Sequence, residues 1–313
     1  MRNTIDNIDY TSEALMTPLP TLRQLQFFMA LVRRQSFSKA ADECLVSQST
    51  LSSAIKEMEG LLDQQLVDRS TRSFALTPAG ELVAERAIVI LASTEDMVRA
   101  ARDRRPLEGA FHLGIIPTIA PFMIPAVAAQ LRQAYPKLEL YLREDLTVAL
   151  AEQLAAGLID AALLAFPYEI PGIEIEEIGI DPFWFACDPD HALAKRKSVT
   201  TDDLKGHEIL LLEDGHCLKE HAVDACHLAD RNHTAAYGGT SLLTLAQMTR
   251  AGLGATLLPQ MAIKDGLAKN SGLIAIPFDK PVPRRKIGIA WRRGSGRGDE
   301  AHAIAKIMKQ YFD

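Results

Sequence analysis

Cysteine is scarce in this sequence, four residues in 313, which is too few for a fold held together by disulfides. Positive charge is not in excess either. Thirty-four Lys and Arg face 40 Asp and Glu, for a net charge of −6, so any contact with nucleic acid must be local to one face. No apolar run approaches the roughly 20 residues that a membrane-spanning helix needs. The N-terminal stretch MRNTIDNIDYTSEALMTPLP has no apolar core and no small-residue cleavage pattern, so it reads as a polar extension rather than a secretory signal, with Met16 as an alternative start. These absences point to a cytoplasmic protein, where thiols are kept reduced and a pair of cysteines is reactive or metal-binding rather than a structural crosslink. The glycine-rich GGTSLLTLAQMTRAGLGATLLP lacks Gly-x-x-x-x-Gly-Lys-Ser/Thr, which excludes a phosphate loop.

What is present divides by texture. LRQLQFFMALVRRQ, SFSKAADEC and QSTLSSAIKEMEGLL each carry apolar residues at helical spacing: Leu25, Phe28, Met29 and Val32, then Phe37, Ala40 and Ala41, then Leu51, Ala54, Ile55, Met58 and Leu61. LVDRSTRSFALT follows with strand character on both sides of a polar tip, a β-wing. Pro78 opens a long helix with Ala84, Ala87, Ile88, Leu91, Val98 and Ala101 in a stripe. That stripe packs either on its own domain or, the preferred reading, on a second copy as a dimer seam. From Phe111 short strands (FHLGIIP, LELYLRE, AALLAF, IEIEEIG, HEILLLE, KIGIAWR) alternate with helical patterns, which predicts α/β architecture with a largely parallel sheet and ligand chemistry in a cleft between two subdomains.

Three helices and a wing suggest DNA binding. The third helix exposes Ser47, Gln48, Ser49, Thr50, Ser52, Ser53 and Lys56, short polar groups suited to base edges and phosphates in a major groove. Arg69 and Arg72 at the wing tip would hold the neighbouring backbone. The alternative is a three-helix bundle with a solvated face. The stretch from Leu22 to Glu81, with FSKAA, VSQSTLS, DR and LTPAGE in order, resembles the N-terminal region of LysR-type transcriptional regulators, with Met58-Glu59 where Leu-Glu is usual. The resemblance continues to the C-terminus. It implies a winged helix-turn-helix, a dimerising linker helix, a two-part effector domain shaped like a periplasmic binding protein, and a homotetramer on promoter DNA that works with RNA polymerase. The corresponding segments are a polar extension (1–20), a DNA-binding domain (21–77), a linker helix (78–105), a first effector subdomain (109–181 and 287–313) and a second (182–286).

The segment LLEDGHCLKEHAVDACHLAD places Cys217 and Cys226 nine residues apart among ionisable neighbours. LEDGHCL with the second cysteine, the IPT at Ile116–Thr118, YPKLEL at Tyr135–Leu140 and PRRKIG at Pro283–Gly288 are similar to the OxyR class of hydrogen-peroxide sensors within that family. The resemblance implies a peroxidatic Cys217, a resolving Cys226, and a peroxide site made with Thr118, Thr147, His216 and Arg285. It also implies a partner thiol reductant such as glutaredoxin or thioredoxin. Read by its chemistry, Cys217 stands at the start of a helical pattern, where free N–H groups and the helix dipole favour a thiolate, and the arginine would lower its pKa further. A helical 217–226 segment would separate the two Cα atoms by roughly 13–14 Å at ~1.5 Å per residue, whereas a disulfide needs less than about 7 Å. Oxidation must then refold the segment.

Rival readings remain at this level. The thiols are incidental and a small metabolite binds in the cleft; or the chain is a thiol peroxidase; or His216, Cys217, His221, Cys226, His227 and His233 hold zinc, although no Cys-x-x-Cys or His-x-x-x-His closes a set. We expect no metal, no cofactor, no membrane partner and no enzymatic turnover. Cys44 and Cys187 read as core residues, and WRRGSGRG as a solvated loop.

Overall fold

The computed structural model describes residues 19–68, 74–100, 107–167, 171–226 and 234–312. The N-terminal extension up to residue 18, the wing tip with Arg69 and Arg72, Ala101, His227 and His233 lie outside the described residues. The chain divides into two compact units, one up to Glu95 and one from Asp96, and the boundary falls within a helix.

In the first unit α1 (Leu22–Arg34), α2 (Phe37–Glu43) and α3 (Gln48–Leu62) are followed by β1 (Val67–Asp68), β2 (Ala75–Leu76) and α4 (Pro78–Ala100). Thr21 starts α1 with a capping box: its hydroxyl accepts from Gln24 N–H, 3.2 Å, and Gln24 Oε1 accepts from Thr21 N–H, 2.8 Å. Ser36 and Ser47 cap α2 and α3 through the N–H groups of Lys39 and Thr50. Phe28, Leu31, Ala40, Leu51, Ile55 and Met58 are fully buried together, so the predicted helical faces are the faces that pack. Glu59 anchors the wing, its Oε1 accepting from the N–H groups of Leu66 and Val67 at 2.9 and 3.3 Å. Thr77 then caps α4 while its N–H donates to Leu66 O, and the helix passes so close that a Cβ on Gly80 would stand 2.1 Å from that carbonyl oxygen. Only glycine permits that approach.

The stripe predicted along α4 needs correcting. Ala84 and Ala87 are buried in the core of this unit, and Ile88 and Leu91 pack against it. Among the described residues, the large apolar side chains α4 leaves exposed are Leu82, Val89, Ile90, Met97 and Val98, and of the stripe's described members only Val98 is exposed. The helix repeat favours packing every third or fourth residue on the nearest core, and that core is the module itself.

The second unit runs β3 (Gly109–Ile115), α5 (Ala120–Ala134), β4 (Leu138–Glu144), α6 (Thr147–Ala155), β5 (Ala161–Phe166), β6 (Ile173–Cys187), β7 (Ile209–Leu212), α7 (Cys217–Ala225), β8 (Thr234–Gly239), α8 (Leu242–Arg250), β9 (Ala255–Pro259), α9 (Gln260–Lys264), α10 (Leu267–Asn270), β10 (Ile274–Pro277), β11 (Arg284–Arg292) and α11 (Gly298–Lys309). The strand order is β4-β3-β5-β11-β6-β9-β7-β8, with β10 added to β6. The central strands AALLAF, ILLL and ATLLP are buried nearly throughout, as expected where both faces of a sheet are covered.

The sheet is mixed rather than largely parallel. The pairs β3–β4, β3–β5, β7–β8 and β7–β9 are parallel, but every pairing of β6 and β11 is antiparallel. The cause is the long strand β6. Up to Pro182 it runs beside β11, and from Phe183 onward beside β9 and β10, so one strand serves both halves of the sheet. Arg285 of β11 is in register with Asp181 of β6, just before that changeover. Among the described residues no helix is long and apolar enough to cross a membrane.

Candidate functional site

Three loops at the C-terminal ends of parallel strands converge in the second unit: those after β3, β4 and β7. This is where open α/β sheets present ligand-binding groups. After β7 the chain turns at Gly215, whose φ of +94° suits glycine and lets His216 become the N-cap of α7. Cys217 is therefore the first residue of α7, 6% exposed, and Cys226 is the buried C-cap residue at its other end. The loop after β3 supplies Thr118, and Thr147 is the first residue of α6; both are buried.

Pro117, Thr118, Thr147, Gly215, His216 and Cys217 all line one small pocket, with Ile116 and Leu146 closing it. Its water-accessible volume is about 10 Å³. That is room for about one water. No disulfide links any of the four cysteines.

Arg285 does not line the pocket. It reaches it through Thr118, whose Oγ1 accepts from Nη1 at 2.8 Å and whose carbonyl oxygen accepts from Nη2 at 3.0 Å. Because Thr118 Oγ1 accepts from the arginine, its own hydroxyl proton is left to donate elsewhere. The other edge of the guanidinium meets a residue that sequence reading missed. Nε and Nη2 both donate to Asp181 Oδ2, at 3.1 and 3.0 Å, and Met261 N–H donates to Oδ1 at 3.1 Å. Both members of this pair are 1% exposed. Burial pushes the Asp181 carboxyl up, against the pull of Arg285 and of the Met261 N–H. Both carboxylate oxygens face only N–H donors, an arrangement that fits the ionised form and leaves no acceptor for an acid proton. Nothing in IEIEEIGIDPFW singles out Asp181 from the acids at 174, 176 and 177; only the strand register places it opposite Arg285.

The electrostatics correct one expectation. Cys217 was expected to ionise easily; instead burial pushes its thiol up. The Thr147 hydroxyl, Arg285 and the Ala165 backbone pull the other way, and Glu220 reinforces the rise. Thr147 faces the sulfur without a hydrogen bond of ordinary geometry, and its Oγ1 is buried with no other partner. A helix N-terminus, the Thr147 hydroxyl and one arginine do not outweigh enclosure. His216 is half-buried and burial lowers its pKa, so it is neutral near pH 7. His221, one turn after Cys217 on the same helix face, is also lowered by burial, and its ring Nε2 stands 3.4 Å from Pro167 O. Cys187 is buried with its thiol pushed up to about 11, and Cys44 is half-buried. Among the described residues no group of three or more His, Cys, Asp or Glu side chains converges as metal ligands.

In the first unit, Ser47, Gln48, Ser49, Thr50, Ser53 and Lys56 are exposed at the start and along one face of α3, and Ser52 is half-buried. Ser47 is engaged locally: its Oγ accepts from Thr50 N–H at 3.1 Å and lies within 2.8 Å of the hydroxyls of Ser49 and Thr50. Gln48, Ser53 and Lys56 present their side chains outward.

Residues 22–81 match the family description "Bacterial regulatory helix-turn-helix protein, lysR family", and residues 104–313 match "LysR substrate binding domain". The regulator EstR of Acinetobacter baylyi is 36% identical over 296 residues, covering 94% of this chain and 98% of its own. The dual regulator OxyR of Escherichia coli is 36% identical over 293 residues, covering 93% and 96%. Among solved structures, a full-length cysteine-to-aspartate OxyR from Pseudomonas aeruginosa aligns with a TM-score of 0.77 at 30% identity, covering 92% of this chain and 94% of that one. A cysteine-to-serine OxyR of Corynebacterium glutamicum with hydrogen peroxide bound aligns with a TM-score of 0.64 at 34% identity, covering 95% and 94%. This chain belongs to the LysR family of helix-turn-helix transcriptional regulators, and within that family it resembles the OxyR proteins.

Proposed function

We propose that this regulator responds to hydrogen peroxide through Cys217, and that Cys226 makes the response lasting. The observation that carries this reading is a thiol on the wall of a pocket the size of one small molecule, beside two threonines and a neutral histidine. The pocket would have to widen little for a peroxide and far more for an organic effector, which favours the peroxide reading. Relatives named OxyR, one of them solved with peroxide bound, support it.

Cys217 first loses its proton, with neutral His216, which lines the same pocket, as the acceptor. The thiolate attacks one peroxide oxygen, an S–O bond forms, the O–O bond breaks, and the departing hydroxide is protonated to water. The hydroxyls of Thr118 and Thr147 hold the two oxygens, and Arg285 keeps Thr118 oriented as donor. Cys217 is now a sulfenic acid. The Cys226 thiolate attacks its sulfur, the S–S bond forms and a second water leaves. In the reduced fold both cysteines bound a nine-residue helix, so their Cα atoms lie roughly 13–14 Å apart by helical rise. Disulfide formation therefore unwinds α7. The unwound segment resets contacts within a homotetramer, moves its DNA-binding modules to new half-site spacings and alters recruitment of RNA polymerase. A cytoplasmic thiol reductant of the glutaredoxin or thioredoxin type restores the dithiol. The protein acts as a switch rather than an enzyme. The limits of the working parts are the five segments set out from the sequence. Gln48, Ser49, Thr50, Ser53 and Lys56 read DNA, with Ser47 capping the helix, Ser52 at the margin, and Arg69 and Arg72 on the adjacent backbone.

Non-reducing peptide mapping after one equivalent of peroxide tests the reading. The expected product is a Cys217–Cys226 crosslink, absent in Cys217→Ser, which still binds operator DNA. Promoter occupancy that shifts while Cys217 stays unmodified refutes it.

A further inference from the structure

Asp181 is the buried ionised group that the proposed chemistry leaves without a task. We propose that Asp181 is the counter-ion that restrains Cys217: it positions Arg285 and matches its charge, so that the thiol meets an ion pair instead of a bare cation. The inference rests on the reading of Cys217 as the peroxide-reactive group and adds how that group's threshold is set.

The geometry has two consequences. First, Asp181 Oδ2 takes the Nε and Nη2 edge of the guanidinium, and this turns Nη1 toward Thr118 Oγ1. Asp181 is itself fixed by Met261 N–H at the start of α9. A pocket hydroxyl is thus oriented through an arginine that a carboxylate holds in place. Second, a positive and a negative charge about 3 Å apart act on a more distant sulfur as a dipole, whose effect falls off faster than that of a single charge. Arg285 favours the thiolate, but only by the difference between its own potential and that of Asp181. The other charges around the sulfur are Glu220 on α7, which opposes the thiolate, and His216 at the helix cap; His221 feels Arg285 from the same helix. Tyr311, beyond α11, feels Asp181. Glu220 and His216 are common to every variant of the ion pair, whereas His221 and Tyr311 respond to it.

A resting thiol restrained in this way is spared by ordinary electrophiles, and the regulator answers only when peroxide occupies the oriented hydroxyls. Removing the carboxylate releases the cation. Asp181→Asn keeps shape and one acceptor oxygen. It should lower the pH midpoint for reaction of Cys217 with both peroxide and iodoacetamide, and should speed the reaction at neutral pH about tenfold, in step with the thiolate fraction. Arg285→Gln leaves Asp181 uncompensated and should raise the midpoint; the double variant Asp181→Asn/Arg285→Gln should return it toward wild type. A residue of merely structural importance would slow the reaction without moving the midpoint. Should Asp181→Asn not fold, Arg285→Gln against the double variant still decides, because the inference requires the double variant to have the lower midpoint. An unchanged or raised midpoint in Asp181→Asn, or a double variant no lower than Arg285→Gln, overturns the inference. Wild-type Cys217 that alkylates with these midpoints yet ignores peroxide defeats the peroxide reading and leaves the counter-ion role standing.

Discussion

If the two cysteines meet only after α7 unwinds, the second step of oxidation must respond to helix stability at a position that touches neither thiol. Asp224 is such a position. It is exposed and lies in the last turn of α7, at the other end of the helix from Cys217. A negative charge there opposes the helix dipole at a cost of about 0.3–1 kcal/mol, and aspartate is itself a poor helix former, roughly 0.6 kcal/mol below alanine. Asp224→Ala should therefore stabilise the helix by about 1 kcal/mol. Asp224→Gly removes the same charge but introduces glycine, roughly 1 kcal/mol worse than alanine, and should lie close to wild type. With unwinding as a pre-equilibrium, 1 kcal/mol is about fivefold in rate. The assay is rapid quench after a peroxide pulse, with sulfenic acid and disulfide quantified separately by mass spectrometry. Sulfenic acid should form at the same rate in all three proteins. Disulfide should follow about fivefold more slowly in Asp224→Ala than in Asp224→Gly or wild type. Equal second steps refute helix unwinding as the gate, and parallel changes in both steps show that the substitution disturbs the sulfur itself.

Three further outcomes are expected. Thr118→Val preserves volume but removes the hydroxyl between Arg285 and the pocket, so peroxide oxidation of Cys217 should slow at least tenfold while operator binding stays intact; an unchanged rate would exclude Thr118 from the chemistry. Glu59→Ala strands the N–H groups of Leu66 and Val67 and should cost about 1–3 kcal/mol for each buried donor, whereas Glu59→Gln, which keeps the acceptor, should cost much less; thermal melts and operator titrations compare them, and equal losses would mean that charge, not the acceptor, is what matters. Cys187 has its thiol raised from 9.0 to about 11, so above pH 9 the unfolded thiol ionises while the folded one keeps its proton. The sign is then loss of stability as pH rises from about 9 toward 11, at up to roughly 1.4 kcal/mol per pH unit; urea unfolding across that range should give a shallower decline in Cys187→Ala, and an identical decline would reject the assignment.

Local structure was legible wherever the residues themselves dictate it. The apolar spacing in α1 and α3 names the buried faces because a helix repeats its neighbours every three or four residues. Asp214-Gly215 before HCL marks a turn into a helix because glycine accepts the left-handed backbone that the turn requires. What sequence could not supply was anything set by pairing between distant strands. The sheet was expected to be largely parallel since strands alternate with helices, and that pattern is blind to β6 and β11, which run antiparallel between the two parallel sets. The stripe on α4 was legible as a stripe but not as to what covers it, because periodicity does not name the opposing surface.

The same limit governs the site. Thr118, Thr147, His216 and Cys217 come from three loops that the fold brings to one pocket. The energetics at the sulfur, however, are dominated by burial, and the proposed counter-ion is Asp181; neither has a signature along the chain. Two barriers follow from those unreadable features. In the proposed scheme, enclosure and a matched arginine hold the thiol protonated and oppose the first oxidation, and a helix between the cysteines opposes the second. The barriers are separate in space, one at the pocket and one along α7, so substitutions should shift one without the other. Asp181→Asn acts on reactivity at the sulfur and Asp224→Ala on the crosslink, and their effects should be independent when combined, as expected for sites not in contact. A combined variant whose sulfenic acid forms faster and whose disulfide forms more slowly from it would place the two controls in series. Rates that collapse to a single shared change would mean that the ion pair and the helix move as one element.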